Sequence, residues 1–148
     1  MWKINTFNEL TVQQLYTYLQ LRVNVFIVEQ KCPYPELDGY DINAFHLAYF
    51  ENEKLLAYAR ILPQGVKYNR ISIGRVIVDE EVRGKGLAKE VMKESLSFIQ
   101  KKWPLQEVQL QAQSHLQSFY GSFGFESISE EYDEDGIPHV DMVKKYYL

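Results

Sequence analysis

The apolar and polar positions of the chain follow two periods, one typical of strands and one typical of helices. Four segments in the first half alternate or are rich in β-branched and aromatic residues, and they predict strands. They are residues 2–7, Phe45–Glu51, Lys54–Leu62 and residues 70–78. Asn52 and Glu53 form a tight turn between the second and third strands. The last three of these four strands follow one another directly in the sequence, so we expect them to be antiparallel neighbours in the sheet.

A first helix is predicted to begin at Thr11, because Gln14 lies three residues later and completes a capping box. Apolar residues then form one helical stripe, namely Val12, Leu15, Leu19, Val23 and Phe26. Arg22 falls on that stripe, where a guanidinium group needs a carboxylate partner. The position favours a structural ion pair, or a side chain that reaches water, over an arginine that lines a site.

The second half of the chain alternates helices and strands. The pattern predicts a helix at Leu87–Lys102, a strand at Val108–Gln113, a short helix over 115–123, and strands over 125–129 and 140–147. Pro104 ends the long helix. Ser114 is expected to cap the short helix, and Gly124 to end it in a left-handed conformation. An acidic turn over 133–138 separates the last two strands.

Residues 29–41 contain two prolines and a glycine and must form a loop. Its acidic residues are Glu29, Glu36, Asp38 and Asp41. An acidic surface loop is one interpretation, and a loop that contacts substrate on a rigid scaffold is the other.

Composition narrows the possible functions. A chain of 148 residues favours a single domain over 1–148, and 14% aromatic residues indicate a packed core. The net charge of -4 argues against nucleic acid as a main partner. The sequence contains no apolar run of about 18 residues, so no membrane span is predicted. The first residues lack the features of a secretion signal. We therefore expect a cytoplasmic protein.

Cys32 is the single cysteine, so an intrachain disulfide is excluded and a reducing compartment is favoured. No histidine and carboxylate pattern around it indicates a nucleophile. The three histidines lack the spacing of metal ligands, and we predict no metal. His46 is expected to be a packed or capped histidine.

A Gly-rich turn, Arg83-Gly84-Lys85-Gly86-Leu87-Ala88, lies between a predicted strand and a predicted helix. Such a turn leaves backbone N–H groups unpaired at a helix N-terminus, where an anion can bind. The two glycines allow a phosphate to approach the backbone closely. The spacing matches neither a P-loop nor a dinucleotide fingerprint.

The pattern Arg-x-x-Gly-x-Ala resembles the pyrophosphate loop of the GNAT superfamily of acetyl-CoA-dependent N-acetyltransferases. Tyr120, followed by Gly124-Phe125, resembles a second GNAT segment, Tyr-x-x-x-Gly-Phe, and the predicted element order resembles the GNAT order. Segments between about residues 22 and 142 look like the ElaA-type branch. They are 25–30, 32–34, 38–41, 73–76, 115–117 and 133–139.

The resemblance implies an α+β GNAT fold with a mixed, mostly antiparallel central sheet, splayed between strands 4 and 5, and helices on both faces. It implies acetyl-CoA as co-substrate. Donor-binding positions would be Val76, Ile77, Val78, Arg83, Gly84, Lys85, Gly86, Leu87, Ala88 and Lys89. The turn would cradle the pyrophosphate, and the strand edge would pair with the pantetheine arm.

The implied chemistry is direct attack of an amine on the thioester through a tetrahedral intermediate. An N–H of Val76 or Ile77 would stabilise the oxyanion, and Tyr120 would protonate the leaving thiolate. The base is left open among Glu29, Asp38, Asp41, His115 and a water chain. Arg75 either holds a carboxylate of the acceptor or pairs with Asp38 or Asp41 and braces the loop. The acceptor is a small primary amine or a protein amine.

Three alternatives stay open. The protein could be a non-catalytic acyl-CoA-binding module. Arg22-x3-Phe26, Asp38-x2-Asp41 and Arg60 are similar to the pattern of acyl-homoserine-lactone synthases, although the Gly-rich turn and Tyr120 suit CoA. A homodimer is the third, through pairing or packing of Tyr146 and Tyr147 in the last predicted strand.

Overall fold

A computed structural model describes residues 1–146 of the chain. Eight strands in this part form one sheet in the order β1-β2-β3-β4-β5-β8-β6, with β7 paired to β8. The strands are β1 (Trp2–Thr6), β2 (Phe45–Glu51), β3 (Lys54–Leu62), β4 (Ile71–Val78), β5 (Val108–Gln113), β6 (Phe125–Ser127), β7 (Tyr132–Glu134) and β8 (Ile137–Lys144). The helices are α1 (Val12–Val23), α2 (Leu87–Lys102) and α3 (Gln117–Gly121).

Helices cover both faces of the sheet. Successive side chains of β3 point to opposite faces, and each face packs against a different helix. Ala57 and Ala59 point to one face, where they pack with buried residues of α2 such as Met92. Tyr58, between them in sequence, points to the other face and packs with Tyr18 of α1. All the pairings in the sheet are antiparallel except the parallel pair β4 and β5. The predicted fold class is confirmed.

The sheet splays between β4 and β5. Only Ile71 and Ser72 of β4 pair with β5, opposite Val108 and Gln109. From residue 73 onward β4 has no partner strand on that side within residues 1–146, so a wedge opens in the middle of the sheet.

A β-bulge lies in β4 at the beginning of this wedge. Arg60 pairs with Gly74 and Tyr58 pairs with Ile77, so one residue of β3 stands opposite two residues of β4. Arg75 is one of those two residues, and it adopts a positive φ of 52°. The bulge therefore redirects the side chain of Arg75 out of the regular alternation.

The start of α1 agrees with the prediction, but its buried stripe differs. Thr11 and Gln14 form the reciprocal capping box, at 2.9 and 3.0 Å. The residues buried by the sheet are Tyr18, Arg22 and then Val25 in the π-helical turn Asn24–Glu29 that continues α1. Val12 is 86% exposed. It is the first residue of the helix and lies beyond the region covered by the sheet.

Two turns match their predicted positions. Asn52 and Glu53 have φ angles of 50° and 65°, as a two-residue hairpin with the favoured twist requires. Gly124 follows α3 with φ of +93°. A Cβ at Gly124 would lie 2.7 Å from Nζ of Lys144, which donates to the Phe123 carbonyl at the end of the helix. The left-handed conformation favours glycine here, whereas a Cβ would need only a small shift of the flexible Lys144 side chain.

Several predicted boundaries in the second half were wrong. Ser114 does not cap α3, because a 3-10 turn at Ser114–Leu116 intervenes. The predicted acidic turn is shorter than 133–138, because β7 pairs with β8 and leaves Asp135 and Gly136 as the turn residues. β8 consequently begins at Ile137 instead of residue 140. Tyr147, the predicted end of that strand, lies outside the described residues. None of the helices described here has the length and apolarity that a bilayer crossing requires.

Candidate active site

A cavity of about 1020 Å³ occupies the wedge between β4 and β5. Its wall is built from the loop 29–41, β4, the Gly-rich turn, β5, the start of α3 and the β7–β8 hairpin. All the predicted site residues line it except Asp41 and Lys85. The wedge thus brings together most of the side chains that the sequence singles out from distant segments.

The Gly-rich turn forms one end of this cavity. Gly84 and Gly86 both adopt φ of +81°, a conformation that is costly for any other residue, although a Cβ would meet open space at either position. Gly86 is the N-cap of α2, and no side chain caps the helix. The N–H groups of residues 87–89 are therefore free of a side-chain acceptor and suited to an anion.

Arg83 links this turn to the loop 29–41. Its guanidinium donates to both carboxylate oxygens of Glu29, at 2.7 and 3.0 Å, and to the carbonyl of Val78 at 3.0 Å. Glu29 is therefore engaged by Arg83, which makes it a poor candidate for a free base.

The exposed edge of β4 forms the floor of the cavity. The N–H of Asp79 donates to the carbonyl of Leu56 in β3 at 2.8 Å. Because the hydrogen-bonding direction alternates along a strand, Ile77 also faces β3, whereas Val76 and Val78 face the wedge. The Val78 carbonyl is taken by Arg83. Of the predicted pair Val76 and Ile77, Val76 is the residue whose N–H faces the cavity.

Tyr120 stands at the opposite wall, on α3. It is 8% exposed, and its ring packs against Phe119 and Phe125. Its hydroxyl forms no hydrogen bond with any residue in 1–146, although the residue lines the cavity. Burial raises the pKa of Tyr120 to about 12, so the hydroxyl holds its proton at neutral pH. The geometry leaves a protonated donor without a hydrogen-bond partner in the described part of the chain.

Three arginines and three carboxylates form a buried cluster beside the cavity, which we call the arginine–carboxylate cluster. Its members are Arg22, Arg60, Arg75, Glu36, Asp38 and Asp41. The formal charges cancel, as burial of this many ionised groups requires. The cluster anchors the loop 29–41 to α1, β3 and the bulge of β4.

Glu36 is the centre of this cluster. Its Oε2 accepts from Nε of Arg22 at 2.7 Å and from Nε of Arg75 at 2.8 Å. The hydroxyl of Tyr34 donates to Oε1 at 2.7 Å. Sequence reasoning listed Glu36 as an acidic loop residue but did not find this role. The apolar setting of Arg22 indicated that a buried partner was needed without saying which.

Arg60 holds the other two carboxylates. It donates to both oxygens of Asp38 at 2.8 Å, and to Asp41 at 3.1 Å, which also accepts from Arg22 at 2.6 Å. Burial alone would raise the pKa of Asp38, but the Arg60 hydrogen bonds outweigh it and lower that pKa to about 2. The pKa of Asp41 is lowered by Arg22 and Arg60, again against burial. Both groups are anchored anions.

The geometry favours one of the two interpretations of Arg75. Its guanidinium lies between Glu36 and Asp38, at 2.8 and 3.4 Å, and near the rings of Phe26 and Tyr34. Arg75 therefore braces the loop. Four of the residues that suggested a lactone synthase belong to the arginine–carboxylate cluster, namely Arg22, Asp38, Asp41 and Arg60.

The remaining polar candidates have ordinary surroundings. His46 is buried between the hydroxyl of Tyr58, at 2.6 Å, and the carbonyl of Asp41, at 3.0 Å, as a packed histidine. The Cys32 thiol lies 3.0 Å from the carbonyl of Asp135, and burial raises its pKa. His115 lines the cavity and is exposed. In the described part of the chain, no group of three or more His, Cys, Asp or Glu could hold a metal ion.

Comparison with known proteins agrees with this architecture. The model of a family described as acetyltransferase (GNAT) domain matches residues 12–146. The protein ElaA of Escherichia coli K12 is 45% identical over 146 residues, which cover 97% of this chain and 95% of that one. A crystal structure of E. coli ElaA superposes with a TM-score of 0.93 at 44% identity, covering 98% and 99% of the two chains.

Two further structures bear on the alternatives. An acyl-CoA N-acyltransferase from Pseudomonas aeruginosa has a TM-score of 0.94 and 41% identity, covering 97% of this chain and 98% of that one. A CoA-dependent acyl-homoserine lactone synthase has a TM-score of 0.81 but 14% identity, covering 98% and 82%. The second likeness is one of fold alone.

Proposed function

Because this chain belongs to the acetyltransferase (GNAT) domain family, we propose that it transfers the acetyl group of acetyl-CoA to an amine by direct attack. One observation carries this proposal. A single cavity joins a helix N-terminus without a side-chain cap, a free strand edge and the buried residue Tyr120, whose hydroxyl has no hydrogen-bond partner in residues 1–146. These are the three features that a pyrophosphate, a pantetheine arm and a departing thiolate require.

The donor binds along the wedge. Its pyrophosphate accepts hydrogen bonds from N–H groups of residues 84–89, and the dipole of α2 adds a favourable field. Leu87, Ala88 and Lys89 form the first helical turn, while Arg83 and Lys85 add positive charge at the rim. The amides of the pantetheine arm pair with the exposed edge of β4 at Val76 and Val78, which β5 leaves free.

The reaction then proceeds in two steps. The neutral amine attacks the thioester carbonyl carbon, and the N–H of Val76 stabilises the oxyanion that forms. Collapse of the tetrahedral intermediate forms the amide and breaks the carbon–sulfur bond. The thiolate leaves and takes a proton from the hydroxyl of Tyr120, and the proton released by the attacking nitrogen returns to Tyr120 through water.

The attacking nitrogen must lose a proton during this reaction. The geometry favours water over a carboxylate as the proton acceptor. Glu29, Asp38 and Asp41 are each engaged by an arginine. Of the four side chains named as candidate bases, exposed His115 on the cavity wall is the one that no arginine engages. A chain of water molecules that leads to solvent past His115 needs no dedicated base.

Turnover with a panel of amines tests the proposal. The protein is incubated with acetyl-CoA and small primary amines or peptides, and the free thiol is followed. Calorimetry with acetyl-CoA measures binding separately. Binding and amine-dependent thiol release are expected. If neither binding nor thiol release is observed, the proposal is wrong. If acetyl-CoA binds but no amine is acetylated, a non-catalytic acyl-CoA-binding module is favoured instead.

A further inference from the structure

The connection between β3 and β4 forms part of the cavity wall that no step described above uses. It is a compact turn, because the N–H of Gly65 donates to the carbonyl of Tyr68 at 2.7 Å and Val66 donates to Pro63 at 3.3 Å. Lys67 and Tyr68 project from this turn and line the same cavity as Tyr120. The turn therefore presents two polar side chains from a constrained backbone.

Lys67 differs from the arginines around the cavity. Arg60, Arg75 and Arg83 each form ion pairs with carboxylates. Lys67 is half-buried, lies 5.3 Å from the ring centre of Tyr68, and forms no ion pair with residues 1–146. A half-buried ammonium group without a carboxylate partner is costly unless something else supplies the negative charge.

Tyr68 also has a polar group without a partner in residues 1–146. Its hydroxyl is buried, and within the described part of the chain it has no hydrogen-bond partner. Burial raises the pKa of Tyr68 to about 12, so it remains a donor at neutral pH. Two neighbouring donors, one charged and one neutral, are thus left without an acceptor on one wall of the cavity.

The charges that face Lys67 come from Arg75, Arg60, Asp38 and Glu134, and neither carboxylate forms an ion pair with Lys67 within residues 1–146. Asp38 and Glu134 lie near enough to act on it, but Asp38 is held by Arg60 and Arg75. Burial lowers the pKa of Lys67, and the positive charges of Arg75 and Arg60 lower it further, while Asp38 and Glu134 oppose them. Lys67 therefore carries a positive charge that no ion pair within residues 1–146 neutralises, and the negative charges that act on the neighbouring Tyr68 come from Asp141 and Glu134.

We propose that Lys67 and Tyr68 form a subsite for the carboxylate of the acceptor, so that the acceptor is an amino acid or a similar carboxylated amine. This inference rests on the proposed acetyl transfer. A carboxylate accepts from an ammonium group and a hydroxyl at once, and charge-assisted hydrogen bonds of this kind are the stronger class. The phosphates of the donor have their own site at the Gly-rich turn, at the other end of β4.

Matched acceptors test the subsite. Each amino acid is compared with its amide and with the amine that lacks the carboxyl group, for example phenylalanine, phenylalanine amide and phenethylamine. The wild type is expected to have a higher kcat/KM for the acid than for the amide. Lys67→Met should reduce that ratio about tenfold, or about 1.4 kcal/mol, and Lys67→Arg should largely restore it. Tyr68→Phe should reduce it by a smaller factor.

Lys101→Met is the matched control, because Lys101 is exposed on α2 and does not line the cavity. It removes the same charge and should leave the ratio unchanged. O-phosphoethanolamine, an amine that carries a phosphate instead of a carboxylate, is tested as an acceptor in a separate experiment. A preference for it over every amino acid would overturn the carboxylate assignment, as would equal kcat/KM for acids and amides.

Failure of the subsite and failure of acetyl transfer give different results. If amides and simple amines are acetylated as fast as acids, acetyl transfer stands and the subsite is wrong. If no amine is acetylated, the subsite is judged by binding alone, with an N-acetyl amino acid and its amide titrated by NMR in the presence of CoA. Tighter binding of the acid that depends on Lys67 supports the subsite, and equal binding refutes it.

Discussion

The Nε of Arg75 lies 2.8 Å from Oε2 of Glu36, the same oxygen that accepts from Arg22. Arg75 occupies the bulge of β4, and Glu36 belongs to the loop that borders the acceptor side of the cavity. One buried carboxylate thus fixes the loop to the strand along which the donor is proposed to bind.

Replacing Glu36 with Gln should be strongly destabilising. The change leaves Arg22 fully buried with one carboxylate partner instead of two, and removes the main partner of Arg75. Breaking a buried pair in this way costs about 3–5 kcal/mol. Urea unfolding followed by circular dichroism measures the loss.

Glu107→Gln provides the control for Glu36. Glu107 pairs with Arg70 at 2.7 Å, and both side chains are more than a third exposed. Its loss should cost at most about 1 kcal/mol. Equal effects of the two substitutions would show that the arginine–carboxylate cluster is not what holds the loop.

Tyr120→Phe should reduce turnover about tenfold or more and leave acetyl-CoA binding unchanged. The hydroxyl has no hydrogen-bond partner within residues 1–146, so its removal should change the free energy of unfolding by less than about 0.5 kcal/mol. Steady-state kinetics gives the turnover and calorimetry the affinity. Tyr16→Phe, at a residue that is 70% exposed, is the control. Full activity of Tyr120→Phe would remove this residue from the mechanism.

Gly86→Ala should weaken acetyl-CoA binding about tenfold, or about 1.4 kcal/mol. An alanine at φ of +81° is strained, and relaxation of that strain turns the N–H groups at the start of α2 away from the phosphates. Gly65→Ala imposes a comparable strain at φ of +88°, with similar open space and outside the cavity lining. Calorimetry should find it close to wild type. Equal losses in both would indicate a general effect of destabilisation.

Acidification should remove the stabilisation that Asp38 provides. The folded-state pKa of about 2 is below the unfolded value near 3.8, so the contribution is complete above about pH 4 and is lost as pH falls towards 2. The difference in unfolding midpoint between the wild type and Asp38→Asn should therefore narrow over this interval. Urea titrations at fixed ionic strength measure it. A difference that stays constant from pH 5 to 2 would contradict the lowered pKa.

Local patterns predicted the Gly-rich turn and Tyr120, which line the same cavity. Both were recognisable because each pattern involves only a few neighbouring residues and a position in the element order. The side chains that line the cavity from these segments follow directly from that order.

The sequence offered the pair of Arg75 and Asp38 as one alternative, but the rest of the arginine–carboxylate cluster could not be predicted, because it depends on which distant residues meet. Arg22 signalled only that a partner was needed, and Glu36 stands 14 positions away in a loop with several acidic residues. The conformation of Arg75 could not be predicted either, since nothing in the neighbouring sequence indicates a positive φ. The boundaries of β7 and β8 were missed because pairing between them, rather than local propensity, decides where each begins.

The two paired positions between β4 and β5 have a thermodynamic consequence. The halves of the sheet are joined there by very few backbone hydrogen bonds, and a bound donor would supply the contacts that a neighbouring strand normally provides. A ligand that binds only the folded state stabilises it in proportion to the logarithm of its concentration. Under the proposed function, the resistance of this protein to unfolding and proteolysis therefore rises with the supply of acetyl-CoA.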